Sequence, residues 1–181
     1  MAERVAIFID GSNLIHALQQ DFNRIDVDFE LMANKLLAGR SLTRVYYYTA
    51  LPNQGRDPER YKKQQKFLNA LQRKPYFAVV LGRLELRPNG IYVEKGVDIS
   101  LAIDLLDLAY HNTYDTAILI TGDGDFSRAV EIVQRMGKHV ENAISRSCLS
   151  NHLQQTCDRT TIFDSNYLAD CWRNIGQIIA P

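Results

Sequence analysis

Val5-Ala6-Ile7-Phe8-Ile9, running without a break into Asp10-Gly11-Ser12-Asn13, is the stretch on which the fold turns. Five consecutive apolar residues, rich in β-branched and aromatic side chains and without polar alternation, suit a strand buried on both faces. That is the condition of a parallel sheet covered by helices on either side. The small polar cluster that follows ends the strand abruptly and opens a helix predicted over Ser12 to about Gln20.

Further along the chain the same alternation continues. Asp28 is a good N-cap for a helix to about Gly39. Val45 to Leu51 reads as a strand, Asp57–Arg73 as a polar amphipathic helix, and Tyr76 to Leu81 as a strand. Leu84-Glu85-Leu86 and Ile91-Tyr92-Val93 flank Arg87-Pro88-Asn89-Gly90, and alternation around Asn-Gly predicts a β-hairpin. Gly96 to about His111 is a helix with a broad apolar stripe (Ile99, Leu101, Ile103, Leu105, Leu106, Leu108). Ala117 to Thr121 is a buried strand, Phe126 to Met136 a helix stopped by Gly137, and His139 to Ile144 a strand. Ser150 to Asp158 is a short helix, Thr160–Phe163 a short strand, and Ser165 to about Ile175 a helical tail. Strand and helix in regular alternation predict an α/β fold, with a mostly parallel central sheet, right-handed crossovers and one inserted hairpin. At 181 residues the chain is expected to form a single domain over 1–181.

Composition narrows the function. The 21 basic and 21 acidic side chains cancel, so the chain does not hold polyanions through bulk charge, although a local basic patch remains open. No apolar run reaches the roughly 20 residues that span a bilayer, and no secretory leader pattern precedes Val5. The 3 cysteines, odd in number and widely spaced, suit reduced thiols. A cytoplasmic, membrane-free setting is expected.

Carboxylates gather where apolar segments turn polar: Asp10 in Ile9-Asp10-Gly11-Ser12-Asn13, Asp98 in Lys95-Gly96-Val97-Asp98, and Asp123 and Asp125 in Thr121-Gly122-Asp123-Gly124-Asp125-Phe126. In open α/β sheets ligands bind outside the carboxyl ends of the strands, and Asp10, Asp123 and Asp125 belong on that rim. Clustered carboxylates repel one another, which a hard divalent cation such as Mg²⁺ or Mn²⁺ relieves. Each also has an ordinary structural alternative: Asp10 as a turn residue or helix N-cap, Asp98 and Asp125 as caps of the helices they precede. Asp104 and Asp107 fall further along their helix, where an ion pair or a solvated position serves equally well.

Together these three segments resemble the signature of the NYN domain, a branch of the PIN-like nucleases, and most closely its bacterial LabA-like members. The resemblance spans nearly the whole chain in the expected order. It implies a PIN-like three-layer αβα sandwich and Mg²⁺- or Mn²⁺-dependent cleavage of RNA phosphodiesters, with one or two ions held by Asp10, Asp98, Asp123 and Asp125. Asn13 would support the first aspartate, Ser12 belongs to the same motif, and Ser127 would line the rim.

For the substrate, seven basic residues lie between Arg56 and Lys74 (Arg56, Arg60, Lys62, Lys63, Lys66, Arg73, Lys74) against Asp57 and Glu59, with Tyr61, Phe67 and Tyr76 among or beside them. Such a segment suits single-stranded RNA, with Arg60, Lys62, Lys63 and Lys66 on the backbone. It is equally the solvated face of an amphipathic helix whose Phe67, Leu68 and Leu71 turn inward. Lys95, three residues before Asp98, is placed to meet a scissile phosphate. Tyr46-Tyr47-Tyr48 reads as alternating strand packing. Cys148, His152 and Cys157 match no closed zinc spacing. Leu149, Ile162, Tyr167 and Trp172 either mark a homo-oligomer interface or close the sheet.

The rival reading is a nuclease-derived regulatory or RNA- or protein-binding protein. A haloacid-dehalogenase-type phosphatase would need a second Asp where Ser12 stands. A von Willebrand A-type domain would need a serine where Leu14 stands.

Overall fold

A computed structural model of the chain describes residues 2–86 and 92–173. Strand β1 (Arg4–Asp10) leads directly into helix α1 (Gly11–Phe22), and α2 (Phe29–Leu37) follows. After β2 (Ser41–Thr49) come α3 (Pro58–Gln72) and β3 (Phe77–Leu81). Next are the hairpin strands β4 (Arg83–Leu86) and β5 (Tyr92–Lys95), then α4 (Val97–Tyr110), β6 (Thr116–Ile120) and α5 (Ser127–Arg135). The chain then runs through β7 (His139–Ser145), α6 (Asn151–Thr156) and β8 (Arg159–Phe163).

Six strands form one sheet in the order β3-β2-β1-β6-β7-β8, and all five pairings are parallel. The main sheet is therefore wholly parallel, and the only antiparallel pair among the described residues with more than one bridge is the separate hairpin β4-β5. The Asn89-Gly90 turn and Ile91 lie outside the described residues.

Alternate side chains of β1 serve the two faces, as a pleated strand requires. Val5, Ile7 and Ile9 join Leu14, Leu18, Phe29, Met32 and Phe67 from α1, α2 and α3. Ala6 and Phe8 join Leu101, Leu105, Val130 and Val133 from α4 and α5. In both cores each fully buried Leu, Ile or Phe contributes roughly 1.5–3 kcal/mol. The tyrosines of β2 alternate in the same way: Tyr47 packs with the first core, Tyr48 with the second.

Two local expectations are corrected. In α4, Leu101 and Leu105 are fully buried, whereas Ile99 and Ile103 are 65% and 57% exposed, so only one side of the stripe packs. The segment after β8 is not a helix over its described residues: 165–170 form turns. Leu168 and Cys171 are pulled into the first core, the Cys171 carbonyl accepts from Asp28 N at 2.7 Å, and Trp172 bridges to Val27. Tertiary burial has overridden the helical pattern. Leu149, Tyr167 and Trp172 pack against that same core and close it.

The strand order reverses at β1. The chain leaves β1 for β2 on one side, and later returns to place β6 on the other. Carboxyl ends of strands flanking such a reversal diverge and leave a crevice between their outgoing loops.

Candidate active site

Asp10 stands at that reversal as the last residue of β1 and the N-cap of α1. It is 5% exposed, its Oδ1 accepts from Asn13 N at 3.0 Å, and its Oδ2 accepts from the Thr121 hydroxyl at 3.3 Å. A buried carboxylate is tolerable here because the α1 amides and dipole face it.

Thr121 was given no role by the sequence, yet it ties the site together. Its hydroxyl, fully buried, donates to Asp10 and accepts from Asp123 N at 3.2 Å. One side chain thus fixes the first and third segments to each other. Asn13 makes a second tie: its Oδ1 accepts from Gly122 N at 2.8 Å, while its own backbone supports Asp10. Asn142, also missed, holds the strand end from below. Its Nδ2 donates to the carbonyls of Leu119 and Thr121, at 3.1 and 2.8 Å. The β6-β7 ladder ends at Leu119↔Asn142, so a side chain replaces the backbone pairing where the strands part. Polar residues inside strands carry little sequence signal. Thr121, adjoining Gly122 in the third segment, was the readable one.

Gly122 is required by close approach, because a Cβ there would stand 1.7 Å from the Cys148 carbonyl oxygen. Asp123 caps the 3-10 turn Gly124–Phe126, its Oδ1 accepting from Asp125 N at 2.9 Å. Asp125 is exposed on that turn. Ser127 is buried and its hydroxyl donates to the Gly124 carbonyl at 2.7 Å, so it braces the turn from inside and is not a rim residue.

Asp98 enters from the other side, in the first turn of α4, beyond the N-cap Gly96 at φ +80°. Its carboxyl is held above the usual aspartate range, first by loss of hydration against its surroundings and then by the negative charges of Asp123 and Asp125. These three carboxylates therefore share one electrostatic neighbourhood. Asp104 lies outside it and accepts from the buried Tyr48 hydroxyl at 2.9 Å. Asp107 pairs with His111 at 3.3 Å.

Among the described residues, no group of three or more His, Cys, Asp or Glu side chains is set to hold a metal ion as it stands. The donor chemistry nevertheless fits a hard cation: every candidate offers carboxylate oxygen, and the repulsion felt at Asp98 is of the kind a divalent ion relieves. A zinc alternative at Cys148, His152 and Cys157 finds no support, because these side chains form no group set to hold a metal ion; burial and then Asp158 push the Cys157 thiol up to about 12. All three cysteines are free thiols.

Of the basic candidates, Arg60 lines a cavity beside α1, together with Arg56. Lys62, Lys63 and Lys66 are exposed on α3 but take no part in that lining, and Lys62 lies 3.7 Å from Glu59. Lys95 ends β5, exposed, just before Gly96.

A parallel sheet that reverses at β1, with aspartates along the reversal, defines the class. Residues 4–166 match the NYN domain, and the chain belongs to that family, a PIN-like nuclease family whose nucleases are typically metal-dependent. Of individual proteins, it is 29% identical over 160 residues to the "Low amplitude and bright protein LabA" of Synechococcus elongatus, covering 86% of this chain and 81% of that one. It is also similar to a crystal structure of a protein of unknown function from Vibrio parahaemolyticus, with a TM-score of 0.72 and 26% identity over 92% of this chain and 96% of the other. No helix among the described residues is long and apolar enough to cross a membrane.

Proposed function

We propose that this chain is a cytoplasmic Mg²⁺- or Mn²⁺-dependent ribonuclease that cuts single-stranded RNA endonucleolytically. Asp10, Asp98, Asp123 and Asp125 would hold one or two ions. The observation that carries this reading is the Thr121 hydroxyl, which locks Asp10 to the Asp123 segment at the strand-order reversal, while Asp98 feels the charges of Asp123 and Asp125. When bound, the cation supplies positive charge to the phosphate oxygens and lowers the pKa of a water nucleophile.

The chain's own residues do the rest. Asp10 keeps one orientation because Asn13 N and Thr121 each donate to a different oxygen of it. Ser12 stands in the first turn of α1, beside the Asp10 cap, and lines the adjoining cavity. Lys95 and Arg60 attract the RNA backbone from two sides. Cleavage of a fluorescent single-stranded RNA with Mn²⁺ or Mg²⁺ tests this directly, comparing wild type with Asp10→Asn and Asp123→Asn. Equal residual activity in all three would mean contamination and end the enzyme reading.

A second reading, a nuclease-derived regulatory or binding protein with little catalysis, draws on one observation. Asp10 and Asp123 both cap a helical turn, a structural duty that needs no metal. RNA binding without cleavage in the same assay favours it.

A further inference from the structure

Beside Asp10, between the first turns of α1 and α3 and the carboxyl end of β2, lies a cavity of about 900 Å³. That volume falls within the roughly 300–1,000 Å³ of ordinary ligand pockets. Its lining is divided by chemistry. Tyr47 and Phe67, with ring centroids 5.8 Å apart, form an apolar floor beneath the α1 residue Ile15. Tyr47 seats against α1 because residue 11 is glycine, where a Cβ would come within 2.5 Å of the ring. Arg56 and Arg60 line the α3 side. The only acidic lining residue among those described, Asp57, accepts from Arg60 N as the α3 cap. Gln64 is fixed at the β2 end, its Nε2 donating to the Ala50 carbonyl at 3.1 Å and the Thr49 hydroxyl at 3.3 Å.

Gly11 and Ser12 line the cavity and follow Asp10 directly in the chain, so the cavity begins one residue from the buried aspartate. An apolar floor with two guanidinium groups at one side matches a nucleotide: a flat base and ribose for the floor, a phosphate for the arginines. A base reaches such a hollow only when unstacked, which selects single strands over duplex.

We propose that this cavity holds one unstacked nucleotide of the RNA, immediately next to the scissile phosphate, with Arg60 and Arg56 on its backbone. The inference rests on the ribonuclease reading and states where the strand runs. It also separates two kinds of basic residue on α3. Arg60 binds in place, whereas Lys62, Lys63 and Lys66 add only general attraction.

Fluorescence anisotropy of a labelled single-stranded octaribonucleotide, titrated with the full chain in EDTA so that nothing is cut, reads the binding. Arg60→Glu and Arg56→Glu are each expected to weaken it by about tenfold or more, and Lys63→Glu by less than about threefold. Should either arginine variant fail to fold, the other carries the comparison. A 2-aminopurine placed in the strand should brighten on binding as it leaves its neighbours, and Arg60→Glu should abolish that change. Equal losses from Arg60→Glu and Lys63→Glu, no brightening, duplex bound as tightly as single strand, or no RNA binding at all would each overturn the proposal. Cleavage with Mn²⁺ that persists while the arginine variants bind normally removes the cavity and keeps the ribonuclease. Cavity-dependent binding without cleavage does the reverse.

Discussion

Replacing Thr121 by valine removes a hydroxyl that serves two partners at once. Asp10 loses one of its donors at 5% exposure, and Asp123 N loses its acceptor. A hydrogen bond to a charged group is worth about 1.5–3 kcal/mol, and a neutral one about 1 kcal/mol. The 3.3 Å contact to Asp10 belongs at the weak end of its range. The sum is about 2–3 kcal/mol at neutral pH without metal. In urea, with a slope near 2 kcal/mol/M, the midpoint should fall by about 1–1.5 M. Thr121→Ser is the control: it keeps the hydroxyl and deletes one methyl, costing about 1 kcal/mol. The two variants should also part in the cleavage assay, valine losing most activity and serine keeping most of it. Equal destabilisation by valine and serine would mean that packing at Thr121 matters and its hydroxyl does not. The link between the two aspartate segments would then be wrong.

Other consequences are testable more briefly. Gly122→Ala forces a carbon to within 1.7 Å of the Cys148 carbonyl and should cost about 3 kcal/mol or leave the chain insoluble, which thermal unfolding would show. Arg40, at the opposite end of the sheet, pairs bidentately with Glu141 at 2.9 and 3.0 Å, and Arg40→Ala should cost about 2–3 kcal/mol with unchanged cleavage per folded molecule. Asp115 has its carboxyl lowered to about 2, first by the side-chain hydrogen bond from Arg4. Its contribution is therefore complete above the unfolded value near 4 and lost as pH falls through about 2. After allowance for its exposure, Asp115→Asn should cost about 1 kcal/mol at pH 7 and almost nothing near pH 2, by urea titration at each pH. Asp98→Asn should raise the metal-free melting temperature at pH 7, because it removes a repelled charge, and abolish cleavage; a lower melting temperature would count against the shared field.

What the sequence revealed followed the strength of its physical signals. Val5 to Ile9 announced a doubly buried strand because nothing polar interrupts it, and Asp28 announced a cap because a carboxylate there meets exposed amides. The aspartates of all three segments were legible because each stands where apolar chain turns polar. The bonds that join them were not, since Thr121 and Asn142 sit within or at the end of strands whose neighbours read as core. On α3 the charge count gave Arg60 and Lys63 the same weight. Only the position of α1 beside the end of β2 decides which lines a cavity. After β8 the pattern suggested a helix, but contacts with Val27 and Asp28, distant in the chain, decided otherwise.

The caps at Asp10 and Asp123 bear on how such a chain could change over time. Each carboxylate is bonded to amides that would otherwise face a crevice unpaired, so folding alone is a reason to keep it. Asp98 and Asp125 have no such side-chain bond to the fold among the described residues, and at Asp98 the neighbouring charges are a burden. If the chain is the ribonuclease proposed above, a descendant that stopped cutting RNA would be free to discard the second pair while still holding the first. On the ribonuclease reading, Asp98 and Asp125, the two acids that stability would be better without or indifferent to, are where the record of activity would be kept.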